Sequence, residues 1–166
     1  MPQLGTAIFD PTEKYRYLLT RSWPSLEMNG TVTWVMLNPS TADAYQDDPT
    51  IRRCISFSQN WGYSGLIIVN VYALRSTDPK GLLTIQDPIG RENPMHIQNA
   101  IQSSQLTIAA WGAFKVSNQT CKLGLPNEVY NVLRQAELHC LGTTKEGYPR
   151  HPLYIKGSTK PQRLSL

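Results

Sequence analysis

Apolar positions near the start of the chain recur with period two: Tyr15, Tyr17 and Leu19 alternate with Arg16 and Leu18 and lead on to Trp23, which predicts an early strand. Asn29-Gly30, two residues that tolerate positive φ, then precede the apolar run from Thr31 to Leu37. A hairpin opening onto a buried strand is expected there. The run stops at Asn38-Pro39-Ser40, where proline removes a backbone donor. Helical spacing takes over next. Asp47 or Asp48 caps a helix starting at Pro49, and Ile51, Cys54, Ile55 and Ser58 share one face before Gly62, so residues 49–60 read as a crossover helix.

The short apolar run Leu66 to Val69, ending at Asn70, fits a central strand buried on both faces. Asn93-Pro94 starts a second helix with Ile97, Ala100 and Ile101 inward, and Leu106 to Trp111 forms a further strand that turns at Gly112. Strand, helix and strand in this order fit right-handed crossovers. Between them, Leu74 to Arg91 carries Asp78-Pro79, Gly81, Asp87-Pro88 and Gly90, the longest irregular insertion expected. Pro126 precedes a short helix with Val129, Tyr130, Leu133 and Ala136 on its apolar stripe, followed by the brief segment Leu138 to Leu141. The pattern predicts an α/β fold, a three-layer α/β/α sandwich around a mostly parallel central sheet. Residues 1–156 read as one domain and residues 157–166 as a loosely attached tail.

The 166-residue length agrees with one core, and 40% hydrophobic residues exclude global disorder. A net charge of +4 is compatible with a phosphate-bearing partner without identifying one. The basic residues Arg52, Arg53, Arg75, Lys115, Lys122, Arg134, Lys145 and Arg150 are scattered along the chain instead of forming a tract. Cys54, Cys121 and Cys140 contain no CxxC pair and cannot all pair within one chain, which points to a reducing, cytoplasmic setting. No segment reaches the roughly 18 apolar residues of a membrane span, and the N-terminus lacks a signal-peptide pattern.

Candidate chemistry gathers beyond the strand ends: Asn38 and Ser40 after one strand, Asn70 and Arg75 after the next, and Trp111 after the third. Carboxyl ends of neighbouring strands in open α/β sheets converge on a crevice, so these residues can share a pocket. His151 lies in the proline-bracketed segment Gly147 to Tyr154 beside Arg150; imidazole can donate to a developing anion, and guanidinium can hold phosphate. Asn38 and Asn70 each offer an amide that can orient water or grip a base edge. Asp43 is a candidate general base on the loop after Asn38, whereas Asp47 and Asp48 are accounted for as caps. Trp61, Tyr63 and Tyr72 are expected to pack the sheet. With no HExxH, GxGxxG, P-loop or GxSxG motif, no metal or cofactor is expected.

The segments WVMLNPSTADAYQDDPTIRRC, FSQNWGY, LIIVNVYALRSTDP, DPIGREN, AAWG and LGTTKEGYPRHPLY resemble the domain-of-unknown-function family 1643 over nearly the whole chain, implying a bacterial or phage protein. The motif order is also distantly similar to that of the uracil-DNA glycosylase superfamily. That resemblance implies a central parallel sheet between helices, with Asn38 positioning water, Asn70 reading a pyrimidine and His151 facing the base anion. Ser40 stands where the superfamily's Asn-Pro-Gly motif has glycine, and Leu153 where its His-Pro-Ser motif has serine. A modified base, nucleotide or nucleoside is thus the implied substrate rather than uracil in DNA. The expected activity is cleavage of an N-glycosidic bond, with catalytic Asn38, Asp43 and His151 and substrate-binding Ser40, Asn70, Arg75, Trp111 and Arg150. The alternatives are a non-catalytic nucleotide- or nucleic-acid-binding module and a phage/host interaction protein.

Overall fold

The computed structural model describes residues 4–27, 29–114 and 122–166. Lys115 and Cys121 lie outside the described residues; Cys54 and Cys140 are buried free thiols. The fold is mixed α/β, with one seven-stranded sheet and, among the described residues, three α-helices. In chain order the strands are β1 (Leu4–Phe9), β2 (Arg16–Ser22), β3 (Thr31–Met36), β4 (Gly65–Asn70), β5 (Leu106–Ala109), β6 (Leu138–Cys140) and β7 (Gln162–Leu164). The helices are α1 (Pro49–Asn60), α2 (Asn93–Gln102) and α3 (Asn127–Leu133). Across the sheet the order is β1-β2-β4-β3-β5-β6-β7. Its centre, β4-β3-β5-β6, is parallel, while β1-β2 at one edge and β7 at the other run antiparallel to their neighbours.

Alternating strand residues feed two hydrophobic clusters. Trp34, Met36 and Ile68 pack with Ile51, Cys54 and Phe57 of α1, whereas Val35, Val69 and Ala109 pack with Ile97 of α2 and Val129 of α3. A buried indole N–H needs an acceptor. Trp34 donates to Ser58 Oγ at 3.0 Å, and Ser58 in turn donates to Cys54 O at 2.8 Å, so a polar face position of α1 closes the apolar cluster. Trp61 stacks on Trp34 with centroids 5.7 Å apart, and buried Tyr72 donates to Gly124 O at 3.3 Å, so both aromatics pack as expected. Tyr63 is a partly buried member of the α1-side cluster.

Three expectations are corrected. Strands β2 and β3 do not form a hairpin, because β4 lies between them. The residues leading into β4 take up the bonds of the turn: Asn29 Nδ2 donates to Gly62 O at 3.1 Å, Ser64 N to Gly30 O at 3.0 Å and Trp23 N to Ser64 O at 3.0 Å. Strand β1, absent from the sequence reading, pairs antiparallel with β2. The tail at 157–166 is not loose: β7 pairs with β6, Leu164 and Leu166 pack against the second cluster, and Trp61 Nε1 donates to Thr159 O at 3.2 Å. A three-residue strand containing Arg163 and flanked by Pro161 carries too little periodicity to be visible in advance. The insertion expected at 74–91 is mostly irregular, with one short 3₁₀ turn at Pro79–Leu83.

No described helix is long and apolar enough to cross a membrane.

Candidate functional site

The parallel strands end together, and their loops are zipped by backbone bonds. Val71 N donates to Met36 O and Tyr72 N to Leu37 O, both at 2.9 Å, continuing the β3–β4 pairing past the sheet. Asn38 Nδ2 then donates to Ser76 O at 2.8 Å and to Pro39 O at 3.1 Å, which leaves its carbonyl oxygen as the acceptor on offer. Gly112 N, at a residue with φ +74°, donates to Pro149 O at 2.9 Å and ties the end of β5 to the histidine segment. Arg53 of α1 holds the other side of that segment, donating from Nε to Pro152 O at 3.3 Å and from Nη2 to Ile155 O. Segments more than a hundred positions apart in sequence therefore meet at the carboxyl ends of the central parallel strands.

Their meeting place is a cavity of about 150 Å³. Asn38, Ser40, Asn70, Trp111 and His151 all line it, so five of the eight residues singled out from sequence come together. Apolar cavities of roughly this size accept a six-membered aromatic ring. Met36, Ile51 and Ile68 supply the apolar wall, while buried Arg16 and Asn70 form the polar floor. Partly exposed Asn38, Ser40 and His151 stand at the mouth.

Asn70 is 1% exposed, and neither Oδ1 nor Nδ2 has a hydrogen-bond partner. Its backbone is fixed independently, since buried Asn93 donates from Nδ2 to Asn70 O at 2.8 Å and to Val71 O at 3.2 Å. The amide is thus held in place with both functional atoms unpaired. Buried amides without partners are uncommon in proteins and call for an explanation.

His151 caps the 3₁₀ turn Pro152–Tyr154, its Nδ1 accepting from Leu153 N at 3.2 Å. With Nδ1 an acceptor, the neutral ring carries its proton on Nε2. Burial pulls the pKa below the usual histidine value, outweighing the opposite pull of Asp48, so the ring is neutral near pH 7.

The remaining candidates lie elsewhere. Asp43 does not line the cavity: its Oδ1 accepts from Tyr45 N and Gln46 N, both at 2.8 Å, and these bonds hold its carboxyl below the ordinary value. Arg75 also lies off the cavity, with Nη1 on Glu13 O at 3.2 Å and its guanidinium 4.9 Å from the Phe9 ring centroid. Arg150 is exposed, also lies off the cavity and donates from Nε to Thr143 O at 3.1 Å.

Two charged lining residues escaped the sequence reading of the site. Asp48 caps α1, accepting from Ile51 N at 2.9 Å, and also lines the cavity. Arg16, 2% exposed, was expected on the polar side of an alternating strand. Pairing of Ile8 with Leu18 but of Phe9 with Arg16 leaves Tyr17 as an extra residue in β2. Such a bulge shifts the alternation by one and re-aims the side chains beyond it. Tyr17 accordingly stacks on His96 of α2 with centroids 4.9 Å apart, and Arg16 faces the cavity on the α1 side. The available signal was Leu18, an apolar residue in the polar phase of the pattern.

A cavity where parallel strands end, with unpaired polar groups on its floor, is the candidate site of this α/β protein. The chain belongs to the family described as protein of unknown function (DUF1643), whose model matches residues 16–153. No curated protein and no solved structure gives a significant match to it.

Proposed function

We propose that the cavity binds a planar nucleobase and that the protein hydrolyses the N-glycosidic bond of a modified nucleotide or nucleic acid. The observation carrying this reading is the unpaired amide of Asn70 on the floor of a ring-sized cavity that Asn38 and His151 also line. Oδ1 and Nδ2 together match a base edge that presents one donor and one acceptor. The same convergence, with α1 in one cluster and α2 and α3 in the other, is the arrangement that the proposed distant likeness to the uracil-DNA glycosylase superfamily requires.

In the proposed reaction the base enters against Trp111, from a flipped position where the substrate is a nucleic acid. Asn70 holds its edge. Asn38 Oδ1 accepts from a water and directs it at C1′. As the water oxygen bonds to C1′, the C1′–N bond breaks and its electron pair passes to the base, where the Nε2–H of His151 stabilises the charge. The water proton leaves to a carboxylate. Asp48 lines the cavity and Asp43 does not, so Asp48 is the better placed for that step.

Binding without turnover is the second reading, favoured by the position of Asp43, Arg75 and Arg150 off the cavity, since these were the expected base and phosphate contacts. One experiment separates the two. Nucleotides and DNA carrying different bases are incubated with the protein, and free base is detected by mass. The hydrolase reading expects release that falls at least a hundredfold in His151→Ala and in Asn38→Ala. Saturable binding with no base released would leave the binding module.

A further inference from the structure

Arg16 is the charged group most completely enclosed by the cavity, and the fold does not neutralise it. Its Nη1 donates to Ala42 O at 2.6 Å, but Nε is buried without a partner, and no described carboxylate lies within 4.0 Å of the guanidinium. The side chain reaches this position only through the β2 bulge, the kind of irregularity that serves to aim a residue. Its pKa is lowered to about 10 by burial against the favourable pull of Asp48, so it remains a cation at neutral pH. A buried guanidinium with an open N–H is a strong, directional site for an anionic oxygen.

We propose that Arg16 is the specificity-determining residue of the cavity and selects a planar ring bearing an anionic oxygen, such as a ring carboxylate, on the edge that faces the floor. This rests on the reading of the cavity as a nucleobase site and narrows it to acidic, oxidised or carboxylated bases. The placement follows from the shared lining: Arg16 and Asn70 are 2% and 1% exposed and both line one ring-sized cavity, so a ring seated deep enough to reach Asn70 also lies beside Arg16, while its sugar or phosphate is left toward the mouth. Arg16 is the sole Arg or Lys on the lining and has an unpaired buried N–H, while Asp48, also on the lining, has one oxygen committed to the α1 cap and forms no ion pair with it. For the hydrolytic step the same cation would draw electron density from the departing base.

Calorimetric binding to the full chain tests the proposal with uracil, 5-carboxyuracil, its neutral carboxamide, and benzoate as an acidic ring that is not a base. The expected order places 5-carboxyuracil at least tenfold tighter than both uracil and the carboxamide. Arg16→Gln should erase that difference, with folding checked by circular dichroism. Should Arg16→Gln not fold, the carboxylate-to-carboxamide ratio in the unaltered protein decides alone. Equal binding of all three pyrimidines overturns the role of Arg16 and leaves the nucleobase site standing. Tight, Arg16-dependent binding of benzoate with no pyrimidine bound keeps the anion site and removes the nucleobase reading. Displacement of 5-carboxyuracil by millimolar inorganic phosphate would make the anion alone the ligand and overturn the ring requirement. No binding by any probe overturns both.

Discussion

Asn70 and Arg16 each weaken the unliganded fold, because a buried polar group left unpaired costs about 1–3 kcal/mol. Their retention on one cavity floor is the strongest argument that a ligand completes them. His151 makes a different contribution, and it can be read from the pH dependence of stability. Burial lowers its folded-state pKa below the unfolded value, and His96 is lowered for the same reason against the opposing charge of Glu92. Below the unfolded pKa of about 6.5 the unfolded chain therefore binds more protons than the folded one, and stability falls as pH drops toward the folded values. Melting temperature is expected to be level above about pH 7 and to decline between about pH 6.5 and pH 5. His151→Gln should remove part of that decline and His96→Gln another part, as a pH series of thermal melts would reveal. A decline unchanged in both variants would place the responsible groups elsewhere.

At the scale of elements, the entry to α1 links the core to the site. Asp47 and Asp48 are adjacent, yet they serve different neighbours. Asp47 pairs with Arg21 at 2.8 Å, an arginine of β2 that is 3% exposed, while Asp48 caps the helix and faces the cavity. Removing Asp47 leaves Arg21 a buried cation held only by backbone carbonyls, so Asp47→Ala should cost about 2 kcal/mol, below the range for fully buried pairs because Asp47 is partly exposed. Asp48→Ala should cost about 1 kcal/mol through the lost cap while also lowering base release, since its carboxylate is the one placed to take the water proton. Urea unfolding compared with base release on both variants checks this division; equal effects on release would deny Asp48 its part in the reaction. Helix α1 was legible because Pro49 after a capping aspartate and the spacing of Ile51, Cys54 and Ile55 are local signals, and its observed limits match residues 49–60. The inward turn of Arg16 was not legible, because a bulge depends on how β2 aligns with β1, a partner recognisable only in three dimensions.

For the molecule as a whole, local patterning revealed the central strands, the three helices and the strand-end residues of the cavity, while the sheet edges stayed hidden. Runs such as Leu66 to Val69 are buried on both faces and announce themselves by composition, whereas β1 has the exposure pattern of an edge, and β7 is three residues long. Those edges are nevertheless part of the stability of the sheet. Deleting residues 157–166 would remove the pairing of Leu138, His139 and Cys140 with Leu164, Arg163 and Gln162, the bond from Trp61 to Thr159, and the packing of Leu164 and Leu166. Two half-buried leucines and several partly shielded hydrogen bonds together amount to about 3 kcal/mol. The truncated chain should therefore unfold at a lower urea concentration than the full chain. Its bared β6 edge should also promote self-association, detectable by light scattering. A dangling tail would leave the urea midpoint unmoved. The segment just before the deletion also bears on the site, because Arg53 clasps Ile155 and Pro152 beside His151. Loss of β7 should thus loosen the histidine segment and weaken ligand binding even at temperatures where the truncated sheet is still folded.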